Sequence, residues 1–345
     1  MLKDVFKNKK VLFIGVAFYE YHLEIIKKIE QYGAEVTFFA ERDTSIKYGI
    51  VNRLFPFWLD EYQQKHYTSI LKKIANKEFD YFLVIRGLRM PLSFVRAVKA
   101  MNPGITTIMY QWDANVNSPF LELEADYNIT GEFDKVLSFD YKDVEQNPWI
   151  QYSPTFYIDE VKKLAHNTQN ERKEIDFFYF GSYLPERYAG LIKFKEFADR
   201  HGYTLHSHFY MSYRYYLIER LKGTKLDKSL ISFAPMSRKE YLALFNKSKA
   251  IVDVSNAKQT GMAMRVIDAI GTGKKVLTTN AWVTKEPGYN PEQIAIIDLN
   301  DIKLPASFLE KELEPSRVDY SLDKWLENIF VGSPSPVHTL NADLA

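Results

Sequence analysis

Short apolar runs alternate with stretches of helical periodicity along most of the chain. VLFIGVAF from Val11, AEVTFFA from Ala34, DYFLVIRG from Asp80, TTIMYQW from Thr106 and KVLSFD from Lys135 read as buried strands. Between them, His22–Tyr32, Gln63–Asn76 and Ser93–Met101 place apolar residues at three- and four-residue spacing, as helices with one buried face do. Strand and helix in strict alternation predict a parallel sheet wrapped by helices. Right-handed crossovers make a doubly wound sheet the economical arrangement. The pattern restarts at IDFFYFGS (Ile175–Ser182) and continues with a helix over 185–201, then TLHSHFY, LISFAP and a helix over 237–248. KAIVDVS, a further helix, KKVLTTN and QIAIIDL follow.

The α/β pattern therefore predicts two similar domains facing each other across a cleft. Their expected bounds are 1–150 and 173–320, joined by a linker over 151–172 in a region marked by Pro148, Pro154 and a polar run from His166. The amphipathic piece Leu322–Phe330, within 321–331, is free to cross back to the first domain, and 332–345 reads as a flexible tail.

The third helix of the second half lies in Gln259–Asn280, QTGMAMRVIDAIGTGKKVLTTN. Ala263, Val266, Ile267 and Ile270 fall on one face, which sets Arg265 and Asp268 together on the opposite one, either solvated as an ion pair or lining a cleft. Gly271 and Gly273 punctuate the helix end. Gly271-Thr272-Gly273-Lys274 superficially resembles a phosphate-binding loop, but such a loop needs Gly where Asp268 stands and Ser or Thr at Lys275, and it follows a strand. The string is a helix stop, with Lys274 and Lys275 placed to favour the helix's negative end.

Composition narrows the function. The 345 residues are 46% hydrophobic, enough for a sizeable core, and 45 basic against 44 acidic residues give no electrostatic case for a nucleic-acid partner. The absence of cysteine excludes disulfides and thiolate chemistry and fits a reducing, cytoplasmic setting. The seven histidines form no metal-binding pattern. Val11–Phe18 runs into Tyr19-Glu20-Tyr21 without a small-residue cleavage site, so it reads as a first strand rather than a signal peptide. No run reaches the roughly 18 apolar residues of a membrane span. Leu2, Val5 and Phe6 among Lys3, Lys7, Lys9 and Lys10 form either a solvated lead-in or a basic amphipathic turn, which leaves room for peripheral contact with a membrane.

Open α/β sheets bind ligands beyond the carboxyl ends of their strands. Asp113, in Tyr110-Gln111-Trp112-Asp113 directly after the strand TTIM, is either a base, a partner for a sugar hydroxyl, or a turn cap. Asp140 reads as an N-cap or turn residue. Gly181 and Ser182 let backbone amides approach a ligand ahead of the Pro185 helix start, and Arg187 in its first turn is placed to clamp a phosphate or to pair with a neighbour. Gln259, Thr260 and Gly261 lead into the second helix terminus, where Arg265 and the amides would complement a diphosphate and Asp268 a ribose or sugar hydroxyl. Tyr19, Glu20 and His22 after the first strand, with Arg86, Gly87 and Arg89 after the third, are candidates to hold an acceptor, and His22 or Glu20 to take its proton.

The order YQWD, FDKVLSFD, IDFFYFGSYLPERY and QTGMAMRVIDAIGTGKKVLTTN, from Tyr110 to Asn280, resembles bacterial glycosyltransferases of the GT-B fold that build lipopolysaccharide, capsule or related surface glycans. The resemblance implies two facing Rossmann-like domains, the first for a glycan or lipid-linked acceptor and the second for a nucleotide-sugar donor. It implies no cofactor or metal, and a last helix that often crosses back. Arg265 and Asp268 fall where such enzymes commonly have Arg and Glu against the donor, although Asp is a methylene shorter; Gly181, Ser182 and Arg187 match the loop near the donor phosphates. The paired-Glu pattern of many retaining members would put its first Glu at Thr260, so the stereochemistry does not carry over. Nucleotide-sugar 2-epimerases, built on two such domains, and a non-catalytic sugar-nucleotide-binding subunit are the alternatives.

Overall fold

The computed structural model describes residues 1–331 except 18, 19, 44, 46, 47, 50, 52–54, 122–124, 168–172 and 312. Tyr19, the predicted tail at 332–345 and part of the predicted linker lie outside the described residues. The chain divides into two compact units: Met1–Pro154 together with the segment from Leu322, and Thr155–Ser321.

The first unit is a six-stranded sheet of β1 (Lys10–Gly15), β2 (Glu35–Ala40), β3 (Tyr81–Ile85), β4 (Thr106–Gln111), β5 (Lys135–Ser138) and β6 (Gln151–Tyr152), in the order β2-β1-β3-β4-β5-β6. Each of these neighbouring pairs is parallel. Val11–Ile14, Phe82–Ile85 and Ile108–Tyr110 are buried on both faces, which is why these strands are continuous apolar runs and not alternating ones. Helices Tyr21–Gln31, Leu59–Ile74 and Leu92–Met101 connect them. The helix Leu322–Val331 also packs on this unit: Trp325 meets Tyr110 edge-on, and Lys28 pairs with Asp323 at 3.3 Å. The short helix Leu2–Phe6 buries Leu2 and Phe6, the latter against Phe330. Its apolar side is therefore core, a correction to the lipid-facing turn.

The second unit has β7 (Ile175–Ser182), β8 (Leu205–Tyr210), β9 (Ile231–Ser232), β10 (Ser248–Asp253), β11 (Lys275–Thr278) and β12 (Ile294–Ile296) in the order β12-β11-β10-β7-β8-β9, again parallel. This is the dinucleotide-fold order, with strand order reversing between β7 and β10; in the first unit the reversal falls between β1 and β3. Three elements depart from the sequence pattern: the helix Tyr213–Leu221 follows β8, and the segment read as linker holds β6 and the helix Asp159–Asn167.

The helix of the stretch 259–280 runs from Met264 to Thr272, with Ala263 as its N-cap and not part of its buried face. It is buried nearly all round: Val266 to Thr272 are all inside, and a Cβ on Gly271 would come 2.6 Å from the Tyr157 ring. Gly273, at φ +71°, stops the helix in the left-handed conformation. Lys274 and Lys275 do not serve its end; their amines donate to the carbonyls of Ser248 and Glu292. Burial, with Lys173 adding to it, pushes the Lys274 amine down to about 7. A Cβ on Gly273 would stand 2.2 Å from the Leu313 carbonyl oxygen. Gly273→Ala should therefore cost about 2–4 kcal/mol, combining left-handed strain with displaced backbone, as read by urea unfolding.

Candidate functional site

At the second unit's switch point, β7 and β10 end side by side and two helices begin. The helix Pro185–Arg200 has Leu184 as N-cap and Met264–Thr272 has Ala263; neither carries a side-chain cap bond. Helix N-termini without a capping side chain carry partial positive charge that favours an anion.

Arg265 lies across the strand ends. Its Nε donates to the Phe180 carbonyl at 3.0 Å and its Nη1 to Asp253 Oδ1 at 2.6 Å, while its guanidinium carbon stands 5.9 Å from the Tyr179 ring centre. Asp253, on the last residue of β10 and 1% exposed, also accepts from Thr278 Oγ1 at 2.7 Å. Burial opposes the Arg265 charge, and the Asp253 carboxylate more than offsets it, holding its pKa above the ordinary value. Arg265 and Asp268, expected to share an outward face either as a solvated ion pair or lining a cleft, take different partners: Arg265 turns to the strand ends, where Asp253 supplies its counter-charge.

Arg187, in the first turn of its helix, has no such partner among the described residues. Its Nε is buried without a hydrogen bond, and burial and the Arg265 charge together hold its pKa below the usual guanidinium range, against weaker help from Tyr179 and Asp253. The Tyr179 hydroxyl is also buried and unbonded. Gly181 makes room for this group: a Cβ there would stand 3.0 Å from Tyr179 Oη and 3.3 Å from Arg265 Nη2. Ser182 beyond it is exposed. Two guanidiniums, one carboxylate and two open helix termini leave the locus short of negative charge.

The remaining predicted donor residues are held by bonds of their own. Gln259 donates to the Gly261 carbonyl at 3.2 Å, and Asn280 Nδ2 ties down the carbonyls of Thr260 (2.9 Å) and Gly261 (3.4 Å), so the three form a braced loop leading into the helix. Asp268 is 1% exposed, on the buried side; Tyr241 Oη donates to its Oδ2 at 2.9 Å, and its Oδ1 has no hydrogen bond. Burial pushes its carboxyl up to about 6, with Arg238, Tyr241 and Arg265 opposing.

In the first unit, Arg86 follows β3 with φ +72° and bridges two acids: it ion-pairs with Glu41, which is 1% exposed at the end of β2, and its Nη1 stands 3.6 Å from Asp113 Oδ2 beyond β4. Gln111 donates to the Arg86 carbonyl at 2.9 Å and the Leu88 amide donates to Glu41 at 3.1 Å, so the turn is fixed from both sides. Desolvation raises the Asp113 pKa while Arg86 works against the shift. Asp140 caps the helix Tyr141–Gln146. Asp143, raised by burial to about 6, receives the Asn115 amide and Ser138 Oγ and braces the loop that carries Asp113. His22 lies half-buried with its ring 5.0 Å from Phe38 and its Nδ1 unbonded; burial lowers its pKa. Glu20 is exposed, at φ +62°, and N-caps the same helix through its backbone alone.

Glu41, Asp253 and Asp143 are absent from the sequence-based candidates. Asp253 and Glu41 each stand at a strand's carboxyl end, the same signal that selected Asp113. Among the described residues, no group of three or more His, Asp or Glu side chains is arranged to hold a metal ion, and no helix is long and apolar enough to cross a membrane.

No protein-family model matches the sequence, and no curated protein matches it significantly. Solved structures match its fold. An α-glucosyltransferase in complex with UDP and a 13-mer DNA containing a central A:G mismatch superposes with a TM-score of 0.54 at 15% identity, covering 98% of this chain and 99% of that one. UDP-GlcNAc 2-epimerase from Neisseria meningitidis, bound to UDP-GlcNAc, gives 0.52 at 12% identity over 96% and 100%. A glycosyltransferase from Rickettsia africae gives 0.50 at 11% identity over 98% and 97%. The chain thus has the two-domain α/β architecture of GT-B glycosyltransferases, which the 2-epimerase shares.

Proposed function

We propose that the chain is a glycosyltransferase that moves a sugar from a nucleotide-sugar donor to a glycan or lipid-linked acceptor in assembly of a bacterial surface polysaccharide. The observation that carries this reading is Arg187, a guanidinium whose Nε is buried and unbonded beside a second guanidinium that already holds the local carboxylate. A diphosphate supplies the missing charge, and it is the leaving group of a nucleotide-sugar reaction. As the bond at the anomeric carbon breaks, the oxygen that departs with the diphosphate gains charge, which Arg187, Arg265 and the open helix amides stabilise in place of a metal ion.

The acceptor belongs to the first unit. Asp113 takes the proton of its attacking hydroxyl, and the Glu41-anchored Arg86 orients Asp113. Asp113→Asn should lower turnover by about 10³-fold or more with donor affinity within twofold of the parent. Near-normal turnover in that variant removes Asp113 from the mechanism.

The second reading is a nucleotide-sugar 2-epimerase, favoured by the shared fold with the Neisseria meningitidis enzyme. A thermal-shift screen against uridine, guanosine, thymidine and cytidine nucleotide sugars, followed by product analysis with and without glycan acceptors, separates the two. Transfer that requires acceptor supports the transferase. An epimerised donor formed without acceptor excludes it.

A further inference from the structure

In the first unit, three aromatic rings stand in solvent and pack on one another. Phe57 is 71% exposed, Trp58 52% and Phe55 37%. Phe55 and Trp58 stack with ring centres 5.0 Å apart at 27°, and Phe57 meets Trp58 at 5.0 Å and 63°. Solvent-facing ring clusters of this kind are uncommon on a surface without a ligand or partner.

Their place in the fold ties them to the sheet's ligand-binding edge. The helix Leu59–Ile74 starts directly after Trp58, and Gln63 in its second turn donates to the carbonyl of Glu41, the residue that anchors Arg86. Asp60 pairs with Arg89, three residues beyond Arg86, and the Tyr127 hydroxyl bonds to the same carboxylate. The rings thus lead into a helix that is tied to both ends of the Arg86–Arg89 turn, whose Arg86 pairs with Asp113.

We propose that Phe55, Phe57 and Trp58 form an acceptor subsite for a neutral carbohydrate chain, with Asp60, Arg89 and Tyr127 as its polar rim. Pyranose rings carry polarised C–H groups on one face, which lie against the negative face of an aromatic ring, and hydroxyls at the edge that carboxylate, guanidinium and phenol groups bond. The local charge selects this occupant. Among the described residues, Asp60 is matched by Arg89 and Glu61 by Lys65, so these groups offer no excess of cations to an anionic lipid surface or a nucleic acid. An uncharged, polyhydroxylated partner with apolar faces fits both halves of the surface. The inference rests on the transferase reading for its role, since an epimerase has no use for an acceptor platform.

The test uses the full-length chain on a printed array of bacterial polysaccharides and neutral oligosaccharides, with vesicles of phosphatidylglycerol and phosphatidylethanolamine alongside and nucleotide-sugar binding measured separately. The parent should bind at least one neutral glycan. Phe57→Ala/Trp58→Ala should weaken that binding by about tenfold or more, while Phe57→Trp retains it and both variants keep the parent's melting temperature and donor affinity. Absence of glycan binding by the parent overturns the subsite, as does a double variant within twofold of the parent or ring-dependent binding to the vesicles alone. Donor binding that survives any of these results leaves the nucleotide-sugar reading standing; its loss in the parent brings down that reading instead.

Discussion

Arg187→Ala is expected to weaken nucleotide-sugar binding by about a hundredfold while leaving the melting temperature unchanged or slightly raised, because a charge-assisted bond to phosphate contributes roughly 1.5–3 kcal/mol. Most buried charges stabilise through a partner, and removing them costs stability. Arg187 is the reverse case. Its Nε is unbonded, and Arg265 lies near enough to depress its pKa, so the folded protein without ligand gains nothing from the charge. Calorimetric titration with UDP-sugars and differential scanning calorimetry read both quantities on one preparation. A variant that melts well below the parent with affinity intact would show Arg187 to be a structural residue.

Arg265→Ala should behave differently although the side chain is a neighbour. Helical spacing suggests an exposed residue, dispensable for stability. The structure instead gives Arg265 the task of neutralising Asp253, which is 1% exposed and bonded to Arg265 at 2.6 Å. Removing one partner of a buried pair leaves an uncompensated charge, and the expected loss is about 3 kcal/mol, softened by the Thr278 bond that remains on the other oxygen. For a unit of this size that lowers the melting temperature by roughly 6–12 °C, together with the loss of donor binding. Arg265→Ala/Asp253→Asn should recover most of the stability and none of the binding. Failure of the second change to restore stability rejects the pairing as the cause.

The strands were legible because sheets covered on both faces leave unbroken apolar runs, as in Val11–Ile14 and Ala250–Val252. The helix Tyr213–Leu221 was not, since Tyr213, Tyr215, Leu217 and Leu221 are all exposed and hide any stripe. β6, with two residues, is too short to show a period. At the site, position was legible and pairing was not. Gly181, Arg187, Arg265 and Asp113 all stand at strand carboxyl ends or helix starts, which sequence order reveals. Arg265 with Asp253 and Arg86 with Glu41 are contacts between different elements, 12 and 45 residues apart, and helical periodicity contains nothing about them. Asp268 failed for a related reason: a face polar by spacing is still buried when another helix covers it, and Tyr241 from the helix Arg238–Lys247 does so.

The central claim is that the switch point between β7 and β10 holds the diphosphate of a nucleotide sugar. A crystal structure with a bound nucleoside diphosphate sugar tests it most directly. The phosphates should lie against the Arg187 guanidinium and the first-turn amides of the Met264–Thr272 helix, with Arg265 still on Asp253. A nucleotide bound elsewhere, or one that leaves Arg187 Nε unbonded, contradicts the claim.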